Sequence, residues 1–227
     1  MERKSTDVKP KRSYDSSRRR QQARRAWGTV LDTAQRLLLT NGFSATTIAS
    51  IAEEADVSVE TIYKAFGGKR GLVRAIWDQG LDGAGPTPAW RRSDEMQMLE
   101  ADPRQVIESW GTLAAEVAPR AIPILLLIHA AAATDPEMAA LQQEVDDARL
   151  ARMENNARHL YDRGAFRHDI TLEHARDVMW SYSSPELYEL LVLRRRWPLE
   201  RYSRFIADGM IGSLLPGPDE APLAEPQ

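Results

Sequence analysis

The residues best suited to chemistry fall within one stretch, Gly42–Trp77, reading GFSATTIASIAEEADVSVETIYKAFGGKRGLVRAIW. It contains Thr46, Thr47, Ser58, Val59, Glu60, Thr61, Tyr63, Lys64 and Lys69, a mixture of hydroxyls, an amphipathic ring and cations. Such groups can grip phosphates and read base edges. Their spacing supports that use. Thr46-Thr47 offers a cap for a short helix, Ile48 to Ala55, and Asp56-Val57-Ser58 interrupts it. A second short helix, Val59 to Phe66, turns Ile62 and Phe66 inward and stops at Gly67-Gly68. In a helix-turn-helix the second helix lays its N-terminal residues on base edges while its neighbours hold phosphates. Lys64 and Lys69 can then pair with phosphates and Tyr63 can donate to one. Thr47 stands where a helix N-terminus meets phosphate.

Two short helices and a turn cannot bury a core alone, so longer helices must brace them. Before them, Trp27, Val30, Leu31, Ala34, Leu37 and Leu38 recur at helical spacing in Arg18–Thr40, which ends at the left-handed stop Asn41-Gly42. After them, Leu72, Val73, Ile76 and Trp77 mark a helix from Lys69 to about Leu81. The charge is divided accordingly. Residues 1–77 hold 15 Lys/Arg against 8 Asp/Glu, a net +7, and residues 78–227 hold 15 against 25, a net −10. A basic head on an acidic body suits a polyanion partner.

The 42–77 stretch resembles the DNA-binding domain of the TetR (tetracycline repressor) family. Its pattern is met by Gly42, Phe43, Ala45, Thr46, Thr47, Ile51, Ala52, Ala55, Val57, Ser58, Thr61, Ile62, Tyr63, Phe66, Lys69 and Leu72. It departs at Asp56, where the family usually has Gly, and at Glu60, where a small residue is common. Asp tolerates the left-handed conformation that such a turn needs. The resemblance implies an all-α fold: an N-terminal helix-turn-helix domain plus a larger C-terminal helical ligand-binding and dimerisation domain. It further implies a ligand-relieved repressor that binds a palindromic operator in double-stranded DNA as a homodimer, with a small-molecule effector.

The rest of the chain reads as helices punctuated by proline. Gly83-Ala84-Gly85-Pro86-Thr87-Pro88 reads as a flexible joint. Helices are expected from Asp102-Pro103 to Ala118, from Pro119 through Ala133, from Asp135-Pro136 to about Arg163, and from Thr171 to near Ser183. Two more begin at Pro185 and Pro198, the last reaching about Leu214. The organisation expected is a disordered basic arm over 1–17, a DNA-binding domain over 18–82, a ligand-binding and dimerisation domain over 83–215 and a disordered tail over 216–227. Trp110, Leu113, Leu126, His129, Met153 and Trp180 are candidates to line a cavity, with Leu125 and Tyr161 beside them. Aromatic and aliphatic area gathers near the C-terminus, including Leu190, Leu193, Trp197 and Phe205, and favours a dimer interface there.

Other classes find less support. The chain has no cysteine, which excludes a thiol nucleophile and a disulfide framework and suits a reducing cytosol. No Gly-rich phosphate loop, G-x-S-x-G or H-E-x-x-H occurs, so neither enzyme activity nor a cofactor is expected. His159, His168, Asp169 and His174 lack the spacing of a helical metal pair. The most apolar run, Ala121–Ala133, is short for a bilayer span, and no export signal is evident, so a cytoplasmic protein is expected. The alternative is a non-catalytic helical scaffold or partner-binding protein with a basic N-terminal arm.

Overall fold

The computed structural model describes residues 15–217, with side chains from residue 27, and among these residues it contains helices and no strands. Helices α1 (Asp15–Asn41), α2 (Ile48–Glu54), α3 (Val59–Phe66) and α4 (Lys69–Asp82) form the head. Helices α5 (Ala89–Leu99), α6 (Pro103–Ala132), α7 (Pro136–Tyr161), α8 (Leu172–Tyr182), α9 (Pro185–Tyr188) and α10 (Leu199–Leu214) form the body. From Glu189 to Arg194 the α9 backbone widens into a π-helical turn. The basic arm lies outside the described residues up to residue 14, and α1 begins at Asp15 rather than near Arg18. Residues 218–227 of the tail also lie outside them.

Helix α6 is the axis of the body. It packs against α4, α5, α7 and α10, and also meets α1 and α9. One hydrophobic core runs through both parts: Val30, Leu38, Ile51, Ile62 and Leu72 in the head continue through Ile76 and Trp77 into Ile107, Leu125 and Leu141 of the body. Close packing depends on small residues where helices cross. An added Cβ at Gly111 would lie 2.7 Å from the Ser203 carbonyl oxygen of α10, and one at Gly80 would lie 3.0 Å from Ala121 Cα of α6.

Three expectations need correction. Helix α6 is continuous, although Pro119 and Pro123 lie inside it. Each proline removes one ladder donor at a cost of about 3 kcal/mol. Burial of Ile107, Trp110, Ile122, Ile124, Leu125 and Ile128 on the same helix offsets that loss. At 30 residues α6 is also long and apolar enough to cross a membrane, by length and composition. Its place at the centre of the body is that of a core helix, surrounded by α4, α7 and α10.

Helix α5 carries no apolar stripe and was not expected. Its inward face is Ala89, Ser93 and Gln97, and the Gln97 amide satisfies itself on Ser93 Oγ (3.0 Å) and Asn156 Oδ1 of α7 (3.2 Å). The glycine- and proline-rich segment before it is held rather than loose. Glu116 Oε1 accepts from the Ala84 N–H at 2.8 Å, and Arg120 Nη1 donates to the Gly83 carbonyl at 2.7 Å. Arg92 forks onto the same carboxylate at 2.5 and 2.9 Å and donates through Nε to the Thr87 carbonyl at 3.1 Å. These bonds tie the end of α4 to the side of α6.

Candidate functional site

Local capping chemistry builds the reading head. Thr47 is the N-cap of α2: its side chain accepts from the Ser50 N–H at 3.0 Å, while Ser50 Oγ accepts from the Thr47 N–H at 3.2 Å. Asp56 takes the left-handed conformation at φ 52°, reversing the chain between α2 and α3. Ser58 then caps α3, accepting from the Thr61 N–H at 3.1 Å, and its hydroxyl lies 2.7 Å from Thr61 Oγ1. Gly67 ends α3 at φ 75°. Ile62 is fully buried, and the Phe66 ring meets Trp27 of α1 edge-on at 5.6 Å. These anchors fix the rotation of α3.

With Ile62 inward, Val59, Glu60, Tyr63 and Lys64 form the exposed face. Tyr63 is 53% exposed, and neither its hydroxyl nor the Lys64 ammonium has a partner among the described residues. Helical spacing places residues 59 and 63, and 60 and 64, side by side on one surface. This surface can enter a groove, donate from a phenol and pair with phosphate.

A cavity of about 370 Å³ lies in the body. Trp77 and Leu81 of α4, Trp110 and Leu113 of α6, Met153 of α7 and Ile206 of α10 contribute to its wall. Its polar lining comprises Arg149, Arg152 and Asn156 of α7, with Ser93, Ser183 and Tyr182 beside them. Tyr202 also lines it, edge-on to Tyr188 at 5.4 Å, and burial pushes the pKa of both phenols up. The last helices keep apolar side chains in solvent, with Leu190 and Leu193 each 48% exposed and Phe205 36%.

The family model described as "Bacterial regulatory proteins, tetR family" matches residues 30–76, from the second half of α1 through most of α4. Over these residues the head is a TetR-family domain. Over 50 residues the chain is 48% identical to YvkB of Bacillus subtilis (strain 168), an uncharacterized HTH-type transcriptional regulator. That match covers 22% of this chain and 26% of the curated relative, so about a quarter of its length. Among solved structures, SmeT in complex with triclosan aligns with a TM-score of 0.66 at 19% identity, over 89% of this chain and 97% of SmeT. NalD of Pseudomonas aeruginosa, the secondary repressor of the MexAB-OprM multidrug efflux pump, aligns at 0.64 and 17%, over 85% and 98%. These likenesses show that the chain, beyond the matched head, shares the fold of SmeT and NalD.

Within this TetR-family head, two of the residues singled out from sequence face inward. Thr46 is 1% exposed and donates its hydroxyl to the carbonyls of Leu37 (3.1 Å) and Gly42 (2.9 Å). It closes the α1–α2 loop and presents no side chain to a duplex. Lys69 turns back as well. Its Nζ donates to the carbonyls of Phe43 (2.5 Å) and Thr46 (2.9 Å) and lies 3.8 Å from the Phe43 ring centre. Burial lowers its pKa, with Asp135 opposing. Thr47, Ser58 and Thr61 are committed to capping and reach a duplex only from the helix ends.

In the body, Trp110, Leu113 and Met153 line the cavity, whereas Leu126, His129 and Trp180 do not. Leu126 packs on the core, His129 sits between Asp146 (3.9 Å) and Glu186 (3.7 Å), and the Trp180 ring lies 5.4 Å from the Arg149 guanidinium. Of the two further candidates, Leu125 is fully buried and Tyr161 faces solvent. Sequence reasoning missed Arg149, Arg152 and Asn156. Their one-turn spacing on α7 was the available signal, hidden because charged residues read as solvated surface.

Proposed function

We propose that the protein is a sequence-specific transcriptional repressor that binds a palindromic operator as a homodimer and is released by a small molecule held in the body cavity. The observation that carries the reading is the exposed face of α3: Tyr63 and Lys64 project without partners among the described residues from a TetR-family head whose rotation is fixed by Ile62 and Phe66. Apolar area left exposed on α9 and α10 at Leu190, Leu193 and Phe205 supports a symmetric partner, which would set two reading heads on successive half-sites. The apolar cavity supports an effector. The triclosan complex of SmeT shows that one protein of this fold is found with an apolar aromatic molecule. The reading assigns no catalysis and places the protein in the cytoplasm with its DNA.

The test is selection of bound fragments from sheared genomic DNA at moderate salt with competitor DNA. Recovery of a short palindrome, with half-sites about one helical turn or a multiple apart, supports the reading. Steep loss of binding as salt rises reports the phosphate contacts. Recovery of no specific site by well-folded protein overturns it.

A further inference from the structure

The cavity selects by charge as well as by shape. Its ≈370 Å³ falls in the range of small-molecule sites, and Trp77, Trp110 and Tyr202 give it flat aromatic walls. Among the described residues no Asp or Glu lines it, and the charged lining residues are Arg149 and Arg152. These stand three residues apart on α7, on neighbouring turns of one face.

Both guanidinium groups are anchored, by the carboxylates of Asp146 and Asp94 outside the wall and by Ser183 and Trp90 within it, and retain spare donors. Arg149 Nη1 donates to Asp146 Oδ1 at 2.9 Å, and its Nη2 donates to the Ser183 carbonyl at 2.9 Å and Ser183 Oγ at 3.4 Å. A guanidinium has five N–H donors, so donors remain after these three bonds. Arg152 Nη1 lies 2.7 Å from Asp94 Oδ1, and its Nη2 donates to the Trp90 carbonyl at 3.4 Å. The Arg149 side chain is only 11% exposed. Burial lowers its pKa, with Asp146 and Glu186 acting to raise it. Asp146 and Asp94 hold the two heads in place without entering the cavity wall.

We propose that the cavity takes an aromatic or alicyclic organic acid, its ring against the Trp110 side and its carboxylate on Arg149 and Arg152. This rests on the reading of the cavity as the effector site. A cation would meet two like charges and no lining carboxylate, and a neutral ring would leave the spare N–H donors unmatched. A carboxylate supplies the planar acceptor pair that guanidinium binds best.

Calorimetry on the full chain, with naphthoate, naphthamide and naphthylmethylammonium as probes at neutral pH, tests this. Naphthoate should bind at least about tenfold more tightly than naphthamide, and the ammonium should not bind. Arg152→Gln and Arg149→Gln should each lower naphthoate affinity much more than naphthamide affinity, removing most of that preference. Arg152→Gln carries the test if Arg149→Gln melts early, because Arg152 sits closer to solvent. Equal affinity for acid and amide, acid preference retained in Arg152→Gln, or binding of neither probe overturns the proposal. Operator binding measured on the same samples separates the two readings. Amide binding that still releases operator removes the acid preference and keeps the effector site. Absence of operator binding removes the repressor reading, and calorimetry still decides the ligand class.

Discussion

Replacing Gly80 by Ala should uncouple operator affinity from stability. The added Cβ would lie 3.0 Å from Ala121 Cα and 3.2 Å from both Ala121 N and Arg120 C, all backbone atoms that no rotamer change can move. Comfortable carbon contacts need about 3.5–4.0 Å, so α4 must retreat from α6 by about 0.5 Å. The end of α4 is pinned at Gly83 by Arg120 and beside it at Ala84 by Glu116. From that pivot Gly80 is about 4–5 Å away along the axis, and Lys69 lies about 16 Å beyond Gly80. A 0.5 Å shift at Gly80 therefore becomes about 2 Å at the head end of α4. Overpacking costs about 1–3 kcal/mol, and the helix preference of Ala over Gly returns about 1 kcal/mol. The net change runs from near zero to a loss of about 2 kcal/mol, or a few degrees in Tm. Operator affinity should fall by about tenfold or more, because a docked head tolerates roughly 0.5 Å of misplacement. Melting curves and gel-shift titrations read the two effects, with Gly28→Ala as the control because nothing lies within 4 Å of its Cβ position. Ala121→Gly should not rescue the variant, since the clash is with backbone. A Gly80→Ala protein with unchanged or raised Tm and wild-type operator affinity would refute the reasoning.

Three further outcomes follow from the same geometry. Tyr63→Ala or Lys64→Ala should weaken operator binding by about 1–3 kcal/mol without moving Tm, and Lys64→Ala should reduce the salt slope by about one phosphate; unchanged affinity in the folded double variant would remove α3 from the interface. Lys69→Met should lower Tm through loss of charge-assisted bonds to the Phe43 and Thr46 carbonyls, about 1–3 kcal/mol in all, and weaken DNA binding only through that disorder; a variant of normal Tm with reduced affinity would return Lys69 to the phosphates. Glu116 is held below the usual carboxylate range, chiefly by the Arg92 hydrogen bonds, with burial opposing and the Ala84 N–H assisting. Its contribution is thus complete above its unfolded value near 4.5 and fades as pH falls through the lower folded value. Glu116→Gln should lower Tm at neutral pH and flatten its acid dependence, and an acid limb identical to wild type would show that the carboxylate does not pin the joint.

Why the head was legible and much of the body was not follows from where the determining chemistry sits. Thr47, Ser58 and Gly67 act within three or four residues of themselves, so sequence spacing alone fixes α2, the turn and α3. Direction is a different matter. Thr46 and Lys69 belong to the motif, but whether a hydroxyl or ammonium faces out or in depends on carbonyls brought near by folding, 26 positions away for Lys69 and Phe43. Helix α5 escaped notice because its buried face is polar and is satisfied only by Asn156 on another helix. On α6 the inward stripe runs through Trp110, Leu113, Val117 and Ile122 along the cavity and then on through Leu126 and His129 after the cavity has ended. Periodicity shows a face but not where empty space along it stops.

On the proposed effector reading, the part that would join operator binding to release is α4. It carries Lys69 at the head end, places Trp77 and Leu81 in the cavity wall, and binds α7 through Arg70 and Arg74 on Glu144, at 2.5 and 3.5 Å. Those exposed ion pairs are each worth only about 0–1 kcal/mol, so they steady α4 without fixing it. A ligand against Trp77, which is 4% exposed, can gain room by moving α4 away from α6, the same displacement that a Cβ at Gly80 imposes. Coupling is reciprocal in binding free energy: a ligand that weakens operator binding must itself bind more weakly to the operator-bound protein. Gly80→Ala, already displaced, should therefore bind effector more tightly than wild type while binding operator more weakly. If the ligand acted through another route, such as loosening the α9–α10 face, the variant would lose operator affinity with effector affinity unchanged. Measuring both affinities on the one variant thus distinguishes a lever through α4 from a weakened dimer.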